Sequence, residues 1–362
     1  MKIGIDGTTL IGRRAGVGRY VFELCRALDR QLPNALFYVY SPIPFVMPVI
    51  SERWHARIET LGWASKLPGI LWTKMRAGAC CKADQLDAYW ACGTFLPLLQ
   101  PAINSVATVY DLNVRLVPSS MKWTTYCAYK LFFERDIRCA NSILAISHGT
   151  AERLHDLVGR RADGVVLPAV SPDFRRPDSA IIADTLMRLG LRRPYLLAVG
   201  TLEPRKNLPM LIAAFARLKR SEKFAHLQLV LVGGKGWKDQ GLQRLLDELS
   251  GAGVLPIGYV ADGDLPSLYA GSEAFVFPSI YEGFGMPVME ARACEAQIVA
   301  SDIPEIREAG GVGPLYITPT ADALFIALQQ VLKQELSATS SAQSLPSWDD
   351  SALVLARALG AL

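Results

Sequence analysis

The chain has 362 residues, enough for two medium domains that each bury a core. Its apolar fraction of 51% and mean hydropathy of +0.21 are high. No run approaches the roughly 18–20 apolar residues of a membrane span, however, and the start at Met1-Lys2-Ile3-Gly4-Ile5 lacks a signal-peptide core. Seven scattered cysteines without a Cys-x-x-Cys pair argue for reduced thiols in a cytoplasmic protein and against disulfides or zinc. The net charge of +4 divides into +7 over residues 1–170 and −3 over 171–362. No nucleic-acid motif accompanies it, which leaves a phosphate or an anionic surface as the partner of the basic half.

Lys2–Asp6 is a short strand, and a loop carrying Gly16 and Gly18 leads into a helix whose apolar residues Val21, Leu24, Cys25 and Leu28 recur at helical spacing. Strand, glycine loop and helix form the first turn of a doubly wound domain, although Gly16-Val17-Gly18 alone is also an ordinary turn. Leu36–Tyr40 is the second strand. Trp63–Lys82 and Met121–Arg138 read as basic helices with Trp63, Trp72, Trp123, Tyr126 and Leu131 among Lys66, Lys74, Lys122 and Lys130. Such faces suit a membrane surface or, equally, a domain core. Ser105–Tyr110 is a strand that runs into Asp111. Ser142–Ile146 is another, ahead of Ser147, which has the chemistry of a helix cap, and of His148, read as structural. Val165–Pro172 closes a first domain over 1–172, and Pro172–Pro177 reads as a linker.

A second domain, 173–340, restarts with the strand Tyr195–Val199 and the turn Gly200-Thr201-Leu202-Glu203-Pro204-Arg205-Lys206-Asn207. Two cations at a strand's carboxyl end can clamp a diphosphate, though adjacent Arg205 and Lys206 also suit a solvated turn. Leu227–Val232 runs into Gly233, and Ile257–Val260, with Tyr259, is the next strand. Ala274–Phe277 is a buried strand followed by Glu282, then Gly283, Phe284 and Gly285, and a helix with Pro287 at its first position and Glu290 in its first turns. The free N–H groups and dipole of that helix suit a phosphate, and two carboxylates suit the hydroxyls of a sugar or ribose. Taken singly, Glu290 could merely complement the helix end and Glu282 could be a solvated loop residue. Ile298–Ser301 is the final strand, Ser337–Ser347 is polar, and Trp348–Leu359 forms a last helix.

The stretch Glu282-Gly283-Phe284-Gly285-Met286-Pro287-Val288-Met289-Glu290 resembles the signature of the retaining family-4 glycosyltransferases. The Gly200–Asn207 turn and the pairing of Ile5-Asp6-Gly7 with Gly16-Val17-Gly18-Arg19-Tyr20 resemble two more of that family's loops. The resemblance covers nearly the whole chain and is strongest at 195–210 and 274–310. It implies the GT-B fold: α/β, two facing Rossmann-like doubly wound domains with a donor pocket in the inter-domain cleft. Residues 341–362 would be a C-terminal helix crossing back to the first domain.

By resemblance, Glu282 lies beside the transferred sugar, Glu290 holds the nucleotide ribose, and Arg205 and Lys206 bind the diphosphate. Gly16 and Gly18 approach the donor phosphates and the acceptor, while Gly233, Tyr259, Gly283, Phe284 and Gly285 border the nucleotide. Tyr110 stands where relatives carry histidine, beside Asp111; with a side-chain pKa of about 10, a tyrosine can orient a substrate but is a poor base. Glu282, Asp111 and Tyr110 are thus the candidate catalytic residues. No metal or other cofactor is implied, since Arg205 and Lys206 supply the countercharge and no Asp-x-Asp motif occurs.

The implied reaction moves a hexose, with GDP-mannose the favoured donor, to a glycan or lipid-linked glycan during bacterial surface polysaccharide or lipopolysaccharide assembly. It would proceed in the cytoplasm, at the inner face of the plasma membrane. Tyr110 and Glu295 depart from the family pattern and keep open a catalytically silent nucleotide-sugar-binding protein.

Overall fold

A computed structural model describes residues 1–12, 16–98, 103–234, 236, 240–248, 251–333 and 345–362. It divides into two units, Met1–Ala169 with Pro346–Leu362, and Val170–Leu345. The sequence-based boundaries were 172/173 and 340/341; the second, most of the polar stretch 337–347, and Arg13, Arg14 and Ala15 of the first glycine loop lie outside the described residues.

The first unit is a seven-stranded parallel sheet: β1 (Lys2–Asp6), β2 (Leu36–Ser41), β3 (Trp54–Ile58), β4 (Ala88–Ala91), β5 (Asn104–Val109), β6 (Ser142–Ala145) and β7 (Gly164–Val165). Their order is β3-β2-β1-β4-β5-β6-β7, with Ile3 in register with Phe37 on one side and Ala88 on the other. Both faces are covered, so the central strands bury nearly every residue. The expected exit strand shrinks to Gly164–Val165, and β3 and β4 were not foreseen. β3 is an edge strand with the mixed sequence Trp-His-Ala-Arg-Ile, and β4 has four residues, too few for a periodic signal.

The stretch 63–82 is not one basic helix. It is a 3-10 turn (Ala64–Lys66), a helical turn (Gly69–Trp72), a π-helical turn (Thr73–Ala77) and a helix (Gly78–Asp84). Lys74 does not lie on a wet face: it is buried, pairs with Asp136 of the helix Trp123–Cys139, and donates to the Leu96 carbonyl at 2.8 Å. Arg76 is held by Glu59 at 2.9 Å. The last helix, Trp348–Ala358, belongs to this unit. Asp349 pairs with Arg30 at 2.7 Å, Trp348 meets Tyr20 edge-on at 5.7 Å, and Ser351 donates to the Leu167 carbonyl at 2.6 Å.

The second unit is a six-stranded parallel sheet: β8 (Tyr195–Val199), β9 (Gln228–Val232), β10 (Val254–Gly258), β11 (Ala274–Phe277), β12 (Ile298–Ser301) and β13 (Leu315–Ile317). Its order, β10-β9-β8-β11-β12-β13, is that of a dinucleotide-type doubly wound sheet, with the switch point between β8 and β11. The third strand runs over 254–258 rather than 257–260, because Pro256 is tolerated on an edge strand where the register slips between Pro256 and Gly258. Ile298–Ser301 is not the last strand, since β13 pairs beyond it.

Cys294 ends the helix Met286–Ala293, and Glu295 takes a left-handed φ of 55°. A non-glycine residue there carries a Cβ penalty of about 1–2 kcal/mol, partly offset by the lower entropy of its unfolded state. Glu295→Gly is expected to stabilise the second unit by about 1 kcal/mol, read as a higher urea midpoint at unchanged m-value.

Candidate active site

The carboxyl ends of β8 and β11 lie side by side at the switch point of the second unit, and each continues into a loop that carries charge. After β8, Gly200 turns at φ 147° and the chain enters the 3-10 turn Pro204–Lys206 before the helix Leu208–Leu218. After β11 comes the loop to Gly285, which at φ 111° opens the helix Met286–Ala293; Pro287 takes the second position of that helix rather than the first. The two loops are joined through backbone as well, Ile280 N–H donating to the Arg205 carbonyl at 2.8 Å.

Four charged side chains meet there. Glu282 is buried and accepts from Lys206 Nζ at 2.6 Å and from the Arg205 guanidinium. Arg205 Nε also reaches Glu203 at 2.5 Å, and Lys206 Nζ stands 4.6 Å from the centre of the Phe277 ring. Burial works against a charge on Glu282, but Arg205 and Lys206 outweigh it and hold the carboxyl at about 2, below its ordinary 4.5. Its contribution to folding is therefore complete above pH 4.5 and is lost as pH falls through about 2. Burial lowers the Lys206 pKa against the pull of Glu282, and raises that of Glu203 against Arg205. Two fixed cations in a low-dielectric site are strong ligands for an anion with several oxygens.

Glu290 lies buried one helical turn into its helix, where Tyr269 Oη donates to it at 3.0 Å. Gly283, Phe284 and Gly285 are buried in the loop between the two glutamates. Gly233 serves backbone packing: a Cβ there would fall 2.0 Å from the Gly200 carbonyl oxygen, so only glycine lets the turns after β8 and β9 cross. Tyr259 follows β10 on the sheet edge with its side chain 56% exposed. Glu203 was not singled out from sequence as a site residue; its place in the Gly200–Asn207 turn was the available signal.

The remaining predicted residues lie in the first unit. Tyr110 directly follows β5, its ring edge-on to Tyr20 at 5.5 Å, and burial raises its hydroxyl well above 10, which leaves a neutral donor rather than a base. Asp111 accepts from the backbone and side-chain nitrogens of Asn113 at 3.0 and 2.7 Å, starting the turn Asn113–Leu116. Gly16, at φ 52°, precedes the helix Val17–Gln31, and a Cβ on Gly18 would meet the Thr9 carbonyl at 2.7 Å. Ser147 caps its helix, accepting from Thr150 N–H at 2.9 Å.

Residues 188–344, which contain the charged cluster, match the profile of "Glycosyl transferases group 1". The second unit is thus a group 1 glycosyltransferase domain. Among curated proteins, the chain is 30% identical to O-antigen chain mannosyltransferase B of Escherichia coli over 64% of its own length and 62% of the relative's, so it spans less than two thirds of that protein. Among solved structures, it is similar to sucrose-phosphate synthase from Thermosynechococcus elongatus, with a TM-score of 0.76 and 19% identity over 98% of this chain and 97% of that one. It is likewise similar to Anabaena HepE, solved with UDP and glucose, with a TM-score of 0.71 and 18% identity over 100% and 99%. These likenesses show the fold: two parallel-sheet α/β domains of the GT-B class, the group 1 domain being the second.

Proposed function

We propose that the protein is a retaining glycosyltransferase that moves a hexose from a nucleoside diphosphate sugar to a glycan or lipid-linked glycan hydroxyl. The observation that carries this is the buried Glu203–Arg205–Glu282–Lys206 cluster at the switch point of the group 1 domain. Arg205 and Lys206 stabilise the negative charge that develops on the leaving diphosphate, so no metal is called on. Glu282 accepts hydroxyls of the transferred hexose, and Glu290 those of the ribose. The bond from the anomeric carbon to the phosphate oxygen breaks as the acceptor oxygen bonds on the same face, and a phosphate oxygen takes the acceptor proton. Configuration is thereby retained. The similarity to an O-antigen mannosyltransferase favours GDP-mannose as donor and surface polysaccharide assembly as setting.

The test begins with UDP-, GDP- and dTDP-sugars screened for thermal stabilisation and the hits assayed for transfer in the presence of a chelator. A product of inverted anomeric configuration, or binding without transfer to any glycan acceptor, contradicts the reading. The second outcome would favour a silent nucleotide-sugar binder.

We further propose that the first unit rests on an anionic membrane surface. No helix among the described residues is long and apolar enough to cross a membrane. The helix Trp123–Cys139 instead exposes Trp123 and Leu131, 73% and 68% accessible, beside Lys122 and Lys130. Trp63 and Met75 add exposed apolar surface in the same unit. Aromatic and basic side chains together suit a headgroup layer. Flotation with anionic liposomes at low salt is expected to carry the protein upward, and Trp123→Ser with Leu131→Ser to leave it at the bottom. Wild-type protein that stays at the bottom contradicts peripheral attachment.

A further inference from the structure

Glu290 is a long side chain, and burial by itself does not choose among its rotamers. A carboxylate that is to accept from both hydroxyls of a ribose must stand in one orientation before the nucleotide arrives. The second unit supplies a group that sets it. Glu290 is 5% exposed, and its Oε2 accepts from the Tyr269 hydroxyl at 3.0 Å. Tyr269 belongs to the helix Leu265–Gly271, every residue of which is buried. A tyrosine has fewer side-chain torsions than a glutamate, so a glutamate bonded to a fixed tyrosine is fixed with it.

The Tyr269 ring is held on several sides. It is wholly buried, meets Phe275 of β11 edge-on at 5.1 Å and tilts against Phe174 at 6.4 Å. Its helix is tied to β8 by Tyr195, whose hydroxyl donates to the Leu268 carbonyl at 2.8 Å. Gly271 makes room for that tie, since a Cβ there would stand 2.8 Å from Tyr195 Oη. Beyond the helix, Ser272 Oγ donates to the Tyr269 carbonyl at 2.9 Å, and Glu273 N–H donates to the Tyr195 carbonyl at 2.9 Å. Tyr269 thus takes its position from β8 and β11, the two strands whose loops carry Arg205, Lys206 and Glu282. The kind of donor also matters. Glu282 is held by two cations, whereas a phenol hydroxyl is neutral and takes one of the roughly four acceptor positions of a carboxylate without cancelling its charge. That charge makes the carboxylate a strong acceptor for hydroxyls.

We infer that Tyr269 is a positioning residue that acts through Glu290: its hydroxyl sets the carboxylate for the ribose diol and so makes the site select ribonucleotides over 2′-deoxyribonucleotides. The inference rests on the reading of Glu290 as the ribose ligand. A site arranged to accept from a hydroxyl rejects the analogue that lacks it, because the waiting acceptor is then left unmatched in the interior. The ribose is remote from the bond that breaks, so this contribution is the same in ground state and transition state. It falls on KM for the nucleotide sugar and not on kcat.

The test titrates GDP and UDP, each beside its 2′-deoxy form, into the whole chain by calorimetry, for wild type, Tyr269→Phe and Phe275→Leu. For whichever diphosphate binds, wild type is expected to prefer the ribose form by about tenfold or more. Tyr269→Phe keeps the ring and loses the hydroxyl. It should bring that preference below about threefold by weakening the ribose form, with the deoxy form unchanged within about twofold. Phe275→Leu keeps the hydroxyl but slackens the packing of the ring, and should narrow the preference by a smaller factor. With the nucleotide sugar, Tyr269→Phe should raise KM at unchanged kcat. A folded Tyr269→Phe that keeps the wild-type preference, or that weakens both forms alike as a merely structural residue would, overturns the inference and leaves Glu290 as the ribose ligand. Should that variant not fold, Phe275→Leu with the wild-type preference overturns it in the same way. Wild type that binds both forms equally overturns the ribose role of Glu290, and the inference with it, without touching transfer. Wild type that binds no diphosphate sinks the transferase reading itself.

Discussion

Lys206→Ala is expected to lower kcat/KM for sugar transfer by about 10²–10³-fold, the range found when one preorganised donor to a developing negative charge is removed. Lys206 is buried against Phe277 and 2.6 Å from Glu282, so its ammonium is positioned in advance and little screened by water. The fold should survive, because Arg205 still neutralises Glu282 and is itself held by Glu203. A thermal midpoint within a few degrees of wild type is the control that separates lost chemistry from lost structure. Lys206→Arg should recover little, since a planar guanidinium does not fit the space of a compact ammonium beside a ring. Most of the loss should fall on kcat, because the charge on the diphosphate grows only as the bond to the sugar breaks. Transfer by Lys206→Ala within tenfold of wild type would remove the cluster from the mechanism.

Lys74→Met is expected to destabilise the first unit by about 3–5 kcal/mol, the largest stability effect foreseen for this chain. Both members of the Lys74–Asp136 pair are buried, and removing the cation leaves Asp136 with Leu96 N–H at 3.0 Å and Arg135 at 3.0 Å, the latter on the more exposed side. Burial already raises the Asp136 pKa, with Lys74 pulling it back down. Without Lys74 the folded carboxyl binds its proton more tightly than the unfolded one. Stability of the variant should therefore fall as pH rises past the ordinary carboxylate range and recover as pH is lowered. Lys74→Met with Asp136→Leu should restore most of the loss, because no unpaired charge then remains inside. A cost below 1 kcal/mol in Lys74→Met, or no pH dependence, would mean that water reaches the pair.

Strands and their sequels were legible where the pattern is local. Tyr195–Val199, Ala274–Phe277 and Ile298–Ser301 are apolar runs closed by glycine, proline or serine, and the structure returns each of them, like Lys2–Asp6, with the same bounds. β10 was misplaced because Pro256 speaks against a strand unless the strand is known to lie at an edge. The sequence places Lys74 on a basic face because a regular 3.6-residue helix is the default, whereas a π-helical turn changes which residues face inward.

The sequence by itself determined that this chain makes two series of strands and helices, that glycine loops sit at the carboxyl ends of particular strands, and that Arg205, Lys206, Glu282 and Glu290 have the chemistry to hold a sugar and a diphosphate. Only the tertiary structure decided that β8 and β11, about 75 residues apart in sequence, lie side by side, which puts Glu282 on Lys206 and Arg205. It likewise decided that Asp6, Gly93 and Tyr110 meet around one cavity. The physical reason is the parallel crossover: composition and periodicity act over a few residues, while strand order, set by how helices cover the two faces of a sheet, chooses which distant loops become neighbours.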